Sequence, residues 1–329
     1  MRPGTLIALL GLALAATLCW SLMVGAVPVR IGVVLNTLFG LDGPRQDFII
    51  TRSRLPRGLL AALTGGALAL SGAIIQTILR NDLASPKIIG INAGAALGVL
   101  TASLLLPKLS ASYLPLAAAV GAALAAGLVF LLFELRAVSS ARLILIGVAL
   151  GLFFEAIVDF LLITVPGAAV SGPLIWLTGS LWERGWPELS LIWLPLTVLF
   201  AITGLLSYRL DLLRLGRAQA VGLGVRVRRE RLVLLTLATM LAALSVSVVG
   251  VMGFVGLMAP HLARALVGWR HRLLLPAAGL IGAILVTFAD ATGRIIAPPA
   301  EISAGILTAF IGAPFFIVIL WRNRREVQP

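Results

Sequence analysis

Residues 208–249 read YRLDLLRLGRAQAVGLGVRVRRER and then LVLLTLATMLAALSVSVV. An arginine-dense, glycine-broken segment gives way at once to a stretch with no charge, long enough for most of a membrane crossing. The same alternation runs through the rest of the chain. From Leu59 to Leu320 the sequence is almost continuously apolar, and its basic residues gather in a few short interruptions. Of 329 residues, 60% are hydrophobic and 12% charged, against about 25% charged in a soluble domain. The mean hydropathy is +1.08. A soluble fold of this length could not bury so much apolar surface, so the chain reads as an all-α polytopic membrane protein. A net charge of +13 does not make it a nucleic-acid binder, because such proteins carry their Lys and Arg on an otherwise polar face.

Cutting the apolar stretches at charges, Pro and Gly predicts about ten helices: 5–27, 55–79, 93–106, 113–135, 143–165, 189–207, 232–249, 257–267, 273–296 and 304–321. Some fall short of a full span. Gly4 to Val27 is too long for the apolar core of a secretory signal and reads as a retained first helix. An even count puts both termini on one side. With Arg2 in the cytoplasm, Arg80, Lys87, Arg136, Arg142, the run from Arg209 to Arg231, Arg264, Arg270, Arg272 and the C-terminal arginines lie inside too, as the positive-inside rule requires. Trp176, Trp182, Trp186 and Trp193 crowd the outer connection between the fifth and sixth helices, fitting an interfacial belt with a short surface helix. No long polar linker divides residues 1–329, which are expected to form a single permease domain with a cytoplasmic loop at about 208–231.

Several groups of residues carry candidate chemistry or contacts. Glu155 and Asp159 lie within the fifth span and continue the spacing-four stripe of Gly147 and Gly151 along one helix face. Intramembrane carboxylates face protein or a water-filled cavity, so the pair lines a translocation path or bonds to neighbouring helices, or Asp159 simply reaches the outer interface. Gly94-x-x-x-Gly98 and Gly147-x-x-x-Gly151 are candidates for close helix contact. Arg52, Arg54 and Arg57 stand at the outer start of the second helix, against the charge bias. Arginine pairs bidentately with carboxylates, which suggests a site for an acidic partner there. Asp290 and Arg294, at spacing four, could pair with each other. The loop from Tyr208 to Arg231 reads as short helices broken at Gly216, Gly222 and Gly224, an elbow able to enter a partner's groove.

Other chemistry is poorly provided for. Neither lysine, Lys87 or Lys108, belongs to a G-x-x-x-x-G-K-[ST] phosphate loop, so any ATP that drives the protein is bound by another chain. Cys19 is the sole cysteine, and His261 and His271 are the two histidines. That leaves little for a metal site and no hydrolase arrangement.

The chain resembles the FecCD family, the permeases of ATP-binding-cassette importers for iron-siderophore complexes, haem and cobalamin. The resemblance rests on RLPR at 54–57, GGALALSGAIIQTILRNDLASPKIIGINAGAALG at 65–98, GFVGLMAPHLAR at 253–264, HR at 271–272 and EISAGILTAFIGAPFFIVIL at 301–320. It implies ten helices with both termini inside, and a multi-pass protein of the bacterial inner membrane. It also implies a second permease subunit, identical or homologous, two ATPase subunits that hold ATP and Mg, and a periplasmic substrate-binding protein. By the same resemblance, Arg54, Arg57 and Arg294 match outward arginines that meet glutamates of the binding protein. Arg217, Ala218, Ala220, Leu223 and Gly224 match the coupling segment received by the ATPase. Asn81, Leu83, Ser140 and Ala141 match the cytoplasmic gate. Glu155 and Asp159 belong to no motif of the family, although the family's fifth helix lines its pore. Two departures stand out: Asn81-Asp82-Leu83-Ala84 where the family has Asn-Pro-Leu-Ala, and Ser303-Ala304-Gly305 where it has Pro-Val-Gly. Ferric siderophore is the first expected cargo and haem the second, with cobalamin as an alternative. A secondary transporter using Glu155 and Asp159 as coupling carboxylates is the rival from another class.

Overall fold

A computed structural model of the chain describes residues 3–40, 48–106, 113–134, 140–164, 173–298 and 300–323. Ten longer helices organise it: α1 (Pro3–Met23), α2 (Leu55–Leu79), α3 (Ile91–Leu105), α4 (Leu114–Glu134), α5 (Ser140–Thr164), α6 (Trp186–Leu205), α7 (Val227–Val249), α8 (Val255–Val267), α9 (His271–Ile296) and α10 (Ala304–Asn323). There is no strand among the described residues. Each helix expected from the apolar pattern is present, because an uninterrupted apolar segment in lipid must satisfy its backbone internally. Among the described residues, seven segments are long and apolar enough to cross a membrane; α3, α8 and the apolar part of α10 are shorter.

Short elements fill the connections. Ile31–Phe39 is helical, a π turn at Ile49–Arg54 runs straight into α2, a 3₁₀ turn spans Pro86–Ile89, and residues 173–177 form the short helix expected between the fifth and sixth spans. Ser207–Arg214 and Arg217–Gly222 are the two short helices expected in the arginine-rich loop. The break between them is at Gly216, with φ 117°, and the second helix is left at Gly224, with φ 79°, both backbone states that disfavour a side chain.

Helix α2 is the hub. It packs against α9, α7, α8 and α6, and 83% of its apolar window is buried. Helices α3 and α4 form a close pair in which a Cβ on Gly94 or Gly98 would come within 2.6 Å of an α4 atom, so that small-residue spacing is a packing seam. Gly147 is equally constrained, since a Cβ there would lie 2.0 Å from the Ile88 carbonyl oxygen, whereas Gly151 has room.

The two ends of the bundle differ. At one end the close of α1, the start of α2, the close of α9 and residues 301–305 come together, with Arg54, Arg57 and Arg294 among them. At the other lie the close of α2, the start of α9 and the two short helices of 207–222, here termed the elbow. Alternation through ten helices brings the start of α1 and the close of α10 to the elbow end. Trp176 departs from the expected surface belt: it is 4% exposed, whereas Trp182, Trp186 and Trp193 are exposed.

Candidate functional site

The three arginines expected to stand outward are turned inward. Arg54, Arg57 and Arg294 are 5%, 8% and 5% exposed. Arg57 grips Asp290 through Nε and Nη2, at 2.9 and 2.8 Å to Oδ1, and its Nη2 also donates to Glu301 Oε2 at 2.7 Å. Arg294 Nε lies 3.3 Å from Asp290 Oδ2, the expected spacing-four ion pair, though without hydrogen-bond geometry. The remaining donors cap the end of α1. Arg54 donates to the carbonyls of Leu22, Met23 and Val27, and Arg294 to those of Ser21 and Val24. A helix C-terminus exposes unpaired carbonyls and carries partial negative charge, which explains why two guanidiniums settle there. The charges placed against the bias therefore bind α1, α2 and α9 together, and only Arg52 of the group is exposed.

The elbow is bolted to the spans at several points. Arg80, in a left-handed conformation at the close of α2, donates to the carbonyls of Leu213 and Arg214. His271 is 1% exposed; its Nδ1 meets Asp211 Oδ1 at 2.6 Å and its Nε2 meets Thr77 Oγ1 at 2.8 Å, joining the elbow to both α9 and α2. Arg209 donates to both oxygens of Glu230 at the start of α7. Hydrogen bonding to Tyr208 and then to Glu230 raises the Arg209 pKa above its ordinary value, so the guanidinium stays charged. On the outer side Arg217, Ala218 and Gly224 are exposed, with Val221 and Leu223 at 56% and 63%, while Ala220 is buried. A short helix that shows apolar side chains from a rigid seat suits insertion into a groove.

Between Arg80 and Gly90 the chain re-enters the bundle. Asn81 replaces the rigid turn that proline would supply: its Oδ1 accepts from the Leu83 N–H at 2.9 Å, and its carbonyl accepts from the Ala84 N–H. Asp82 and Leu83 are exposed. The segment then sinks against α5, where Ile88 meets Gly147. Lys87, expected in an inside loop, instead reaches along α5 to place Nζ 3.5 Å from Glu155 Oε1. Non-helical backbone at that depth is tolerated where protein or water covers it. Glu155 lies about 22 Å along α5 from Ser140, near the middle of the apolar span. It is 42% exposed by its side chain, Lys87 is 66% exposed, and Asp159, one turn on, is exposed. Ser140 and Ala141 open α5, and their side chains lie outside the described residues. The second departure leaves α10 starting at Ala304, where Ser303 Oγ meets Thr178 Oγ1 at 2.7 Å and the Gly305 N–H donates to the Gly179 carbonyl.

Lys87, Asp211, His271 and Glu301 had no role in the sequence reading. Lys87, Glu301 and His271 all stand in stretches that carry the family resemblance, but nothing local points to their partners, which are remote in sequence.

The chain belongs to the FecCD transport family, which matches residues 13–322. It is 43% identical over 325 residues to the Fe(3+)-citrate import system permease protein YfmE of Bacillus subtilis (strain 168), covering 99% of this chain and 97% of that one. To the Fe(3+) dicitrate transport system permease protein FecD of Escherichia coli (strain K12) it is 42% identical, covering 97% and 99%. A solved structure, the inward-facing conformation of a metal-chelate type ABC transporter, superposes with a TM-score of 0.87 at 34% identity, over 97% of this chain and 99% of that one. The protein is thus a multi-pass membrane permease.

Proposed function

We propose that the chain is the transmembrane subunit of an ATP-binding-cassette importer that moves an iron chelate of the ferric citrate or siderophore type across the bacterial cytoplasmic membrane. The observation that carries the reading is the exposed charge of Lys87, Glu155 and Asp159 halfway along α5, on a helix whose apolar window is only 11% buried. Charge at that depth cannot face lipid without heavy cost. A second permease subunit, identical or homologous, covers this face and encloses a wet path between the two copies. The elbow end lies in the cytoplasm, and Arg217, Ala218, Ala220, Leu223 and Gly224 form the segment received by each of two ATPase subunits, which hold ATP and Mg. ATPase closure moves the elbow, the latch of Asp211, His271 and Thr77 passes the movement to α2 and α9, and the gate at Asn81, Leu83, Ser140 and Ala141 changes state. At the opposite end a periplasmic binding protein docks. Arg54, Arg57 and Arg294 shape the docking rim from beneath, while Arg52 presents the charge.

Ferric citrate leads the cargo list because it is named for the relatives that match at 43% and 42% identity. The test is ATPase activity of the chain co-expressed with a candidate ABC ATPase from the same organism and reconstituted in lipid. The binding protein is added loaded in turn with ferric citrate, ferric siderophore, haem and cobalamin. Stimulation by an iron chelate above the others is the expected outcome. A folded permease that associates with no ATPase would return the assignment to an ion-coupled carrier built on Glu155 and Asp159.

A further inference from the structure

A cavity of about 520 Å³ opens at the elbow end, where α2, α8 and the Ser207–Arg214 helix meet. Its lining includes Arg80, Arg214, Arg264, Gln76, Asp82 and Trp269. Three guanidiniums face one carboxylate, since the neighbouring Asp211 is engaged by His271. Arg80 directs Nη2 to the carbonyls of Leu213 and Arg214. The other two are less well served. Arg214 stacks 3.8 Å from the Trp269 ring centroid, and Arg264 lies 5.1 Å from the same ring, so one indole holds two like charges. Arg264 is 8% exposed, and its Nη2 has no hydrogen-bond partner, with Asp82 Oδ1 standing off at 3.6 Å. Gln76, 1% exposed, directs Nε2 to the carbonyls of Gly256 and Leu257 and leaves Oε1 without a donor.

Buried polar atoms without partners are rare, and two of them belong to side chains that line one basic cavity, the pattern a missing ligand would leave. That ligand is anionic, to answer the surplus of guanidinium charge. It offers several acceptor oxygens in a fixed geometry, which suits the arginine fork, and one hydroxyl for Gln76 Oε1. We propose that this cavity is a binding site for a phosphate group, either the headgroup of an anionic phospholipid or a free phosphate compound. Trp269, in the connection between α8 and α9, puts the site at the level where headgroups lie. Asp82 is then a built-in competitor. Exposed and 3.6 Å from Arg264, it occupies the anion's place incompletely and must swing away when a phosphate enters. Arg264 closes the motif at 253–264 and Asp82 is the departure from Asn-Pro-Leu-Ala, so both features acquire one role.

The full chain, purified and delipidated, is titrated with phosphatidylglycerol and phosphatidylcholine by native mass spectrometry, and with inorganic phosphate by thermal shift. Preferential retention of phosphatidylglycerol, weakened about fivefold in Arg214→Gln and more in Arg264→Gln, is expected. Asp82→Asn should tighten retention, an effect opposite to that of simple damage. Arg214 and Asp82 are exposed, so their variants keep the test valid if Arg264→Gln misfolds. Stabilisation by inorganic phosphate that also displaces the lipid assigns the site to free phosphate, whereas retention of phosphatidylglycerol alone assigns it to the headgroup. Equal retention of the two lipids with no phosphate shift, or wild-type behaviour in both Arg214→Gln and Asp82→Asn, overturns the proposal. So does a cavity filled instead by an acidic side chain of the ATPase, seen by cross-linking in the assembled transporter.

Discussion

The arginine cluster at the close of α9 and the charged face of α5 both put ionisable groups within apolar spans, and they solve the problem in opposite ways. Around Asp290 every formal charge meets a partner inside the same chain, and no member of the Arg54, Arg57, Arg294 and Asp290 set exceeds 8% exposure. Around Glu155 one loose ion pair at 3.5 Å is left open, as is the exposed Asp159 carboxylate, which has no ion-pair partner among the described residues. A cluster whose charges are paired within the chain holds helices together, whereas an open one at membrane depth needs water, cargo or another subunit. Charge in the membrane is therefore a poor guide to function until its partners are known.

The strongest test of that contrast is Asp290→Ala. It strands the Arg57 guanidinium in a buried site and should cost about 3–5 kcal/mol, enough to remove most folded protein from a detergent melt. Replacing Arg57 and Asp290 together with Met and Leu should recover part of that loss, because no buried charge is then left alone from the pair. If Asp290→Ala melts like wild type, the cluster is not structural.

The next largest effect is on coupling. His271→Ala should cut chelate uptake by about tenfold or more, a loss comparable with other interactions of a positioned side chain, while the ATPase remains bound and hydrolyses ATP. His271→Asn should restore part of the uptake through its amide contact with Asp211. Parallel loss of complex assembly and uptake would place His271 with the structural cluster instead.

Glu155→Gln and Lys87→Gln should each shift stability by no more than ~1 kcal/mol, as exposed pairs do, yet lower uptake severalfold. The swapped pair Lys87→Glu with Glu155→Lys then shows whether the pairing or the individual charges matter. An unfolded Glu155→Gln would erase the difference between the two regions.

The smallest expected change is at Asp159, where Asp159→Cys should alter stability by about 0.5 kcal/mol or less. In a background of Cys19→Ser it reports on access. Rapid labelling by a membrane-impermeant maleimide indicates a wet path, and protection indicates lipid or a tight subunit interface.

Much of the fold was legible because its signals are local. Ten apolar stretches, the glycine breaks at Gly216 and Gly224, and the seam at Gly94 and Gly98 each depend on residues a few positions apart. The family motifs were legible for the same reason. The site is legible only in part: the sequence places Glu155 and Asp159 on one helix face but does not pair Glu155 with Lys87, because its pattern puts Lys87 in a loop that in fact dips into the bundle. Periodicity cannot reveal re-entry in a segment of ten residues with two charges and a proline.

The sequence by itself determined the helical membrane architecture, the elbow and the family, since apolar length, breakers and motifs act over one or two helical turns. Tertiary structure alone decided which charges are spent. Arg57 and Asp290 are separated by 233 positions, and whether a guanidinium faces a partner protein or a carboxylate of its own chain depends on how distant helices pack.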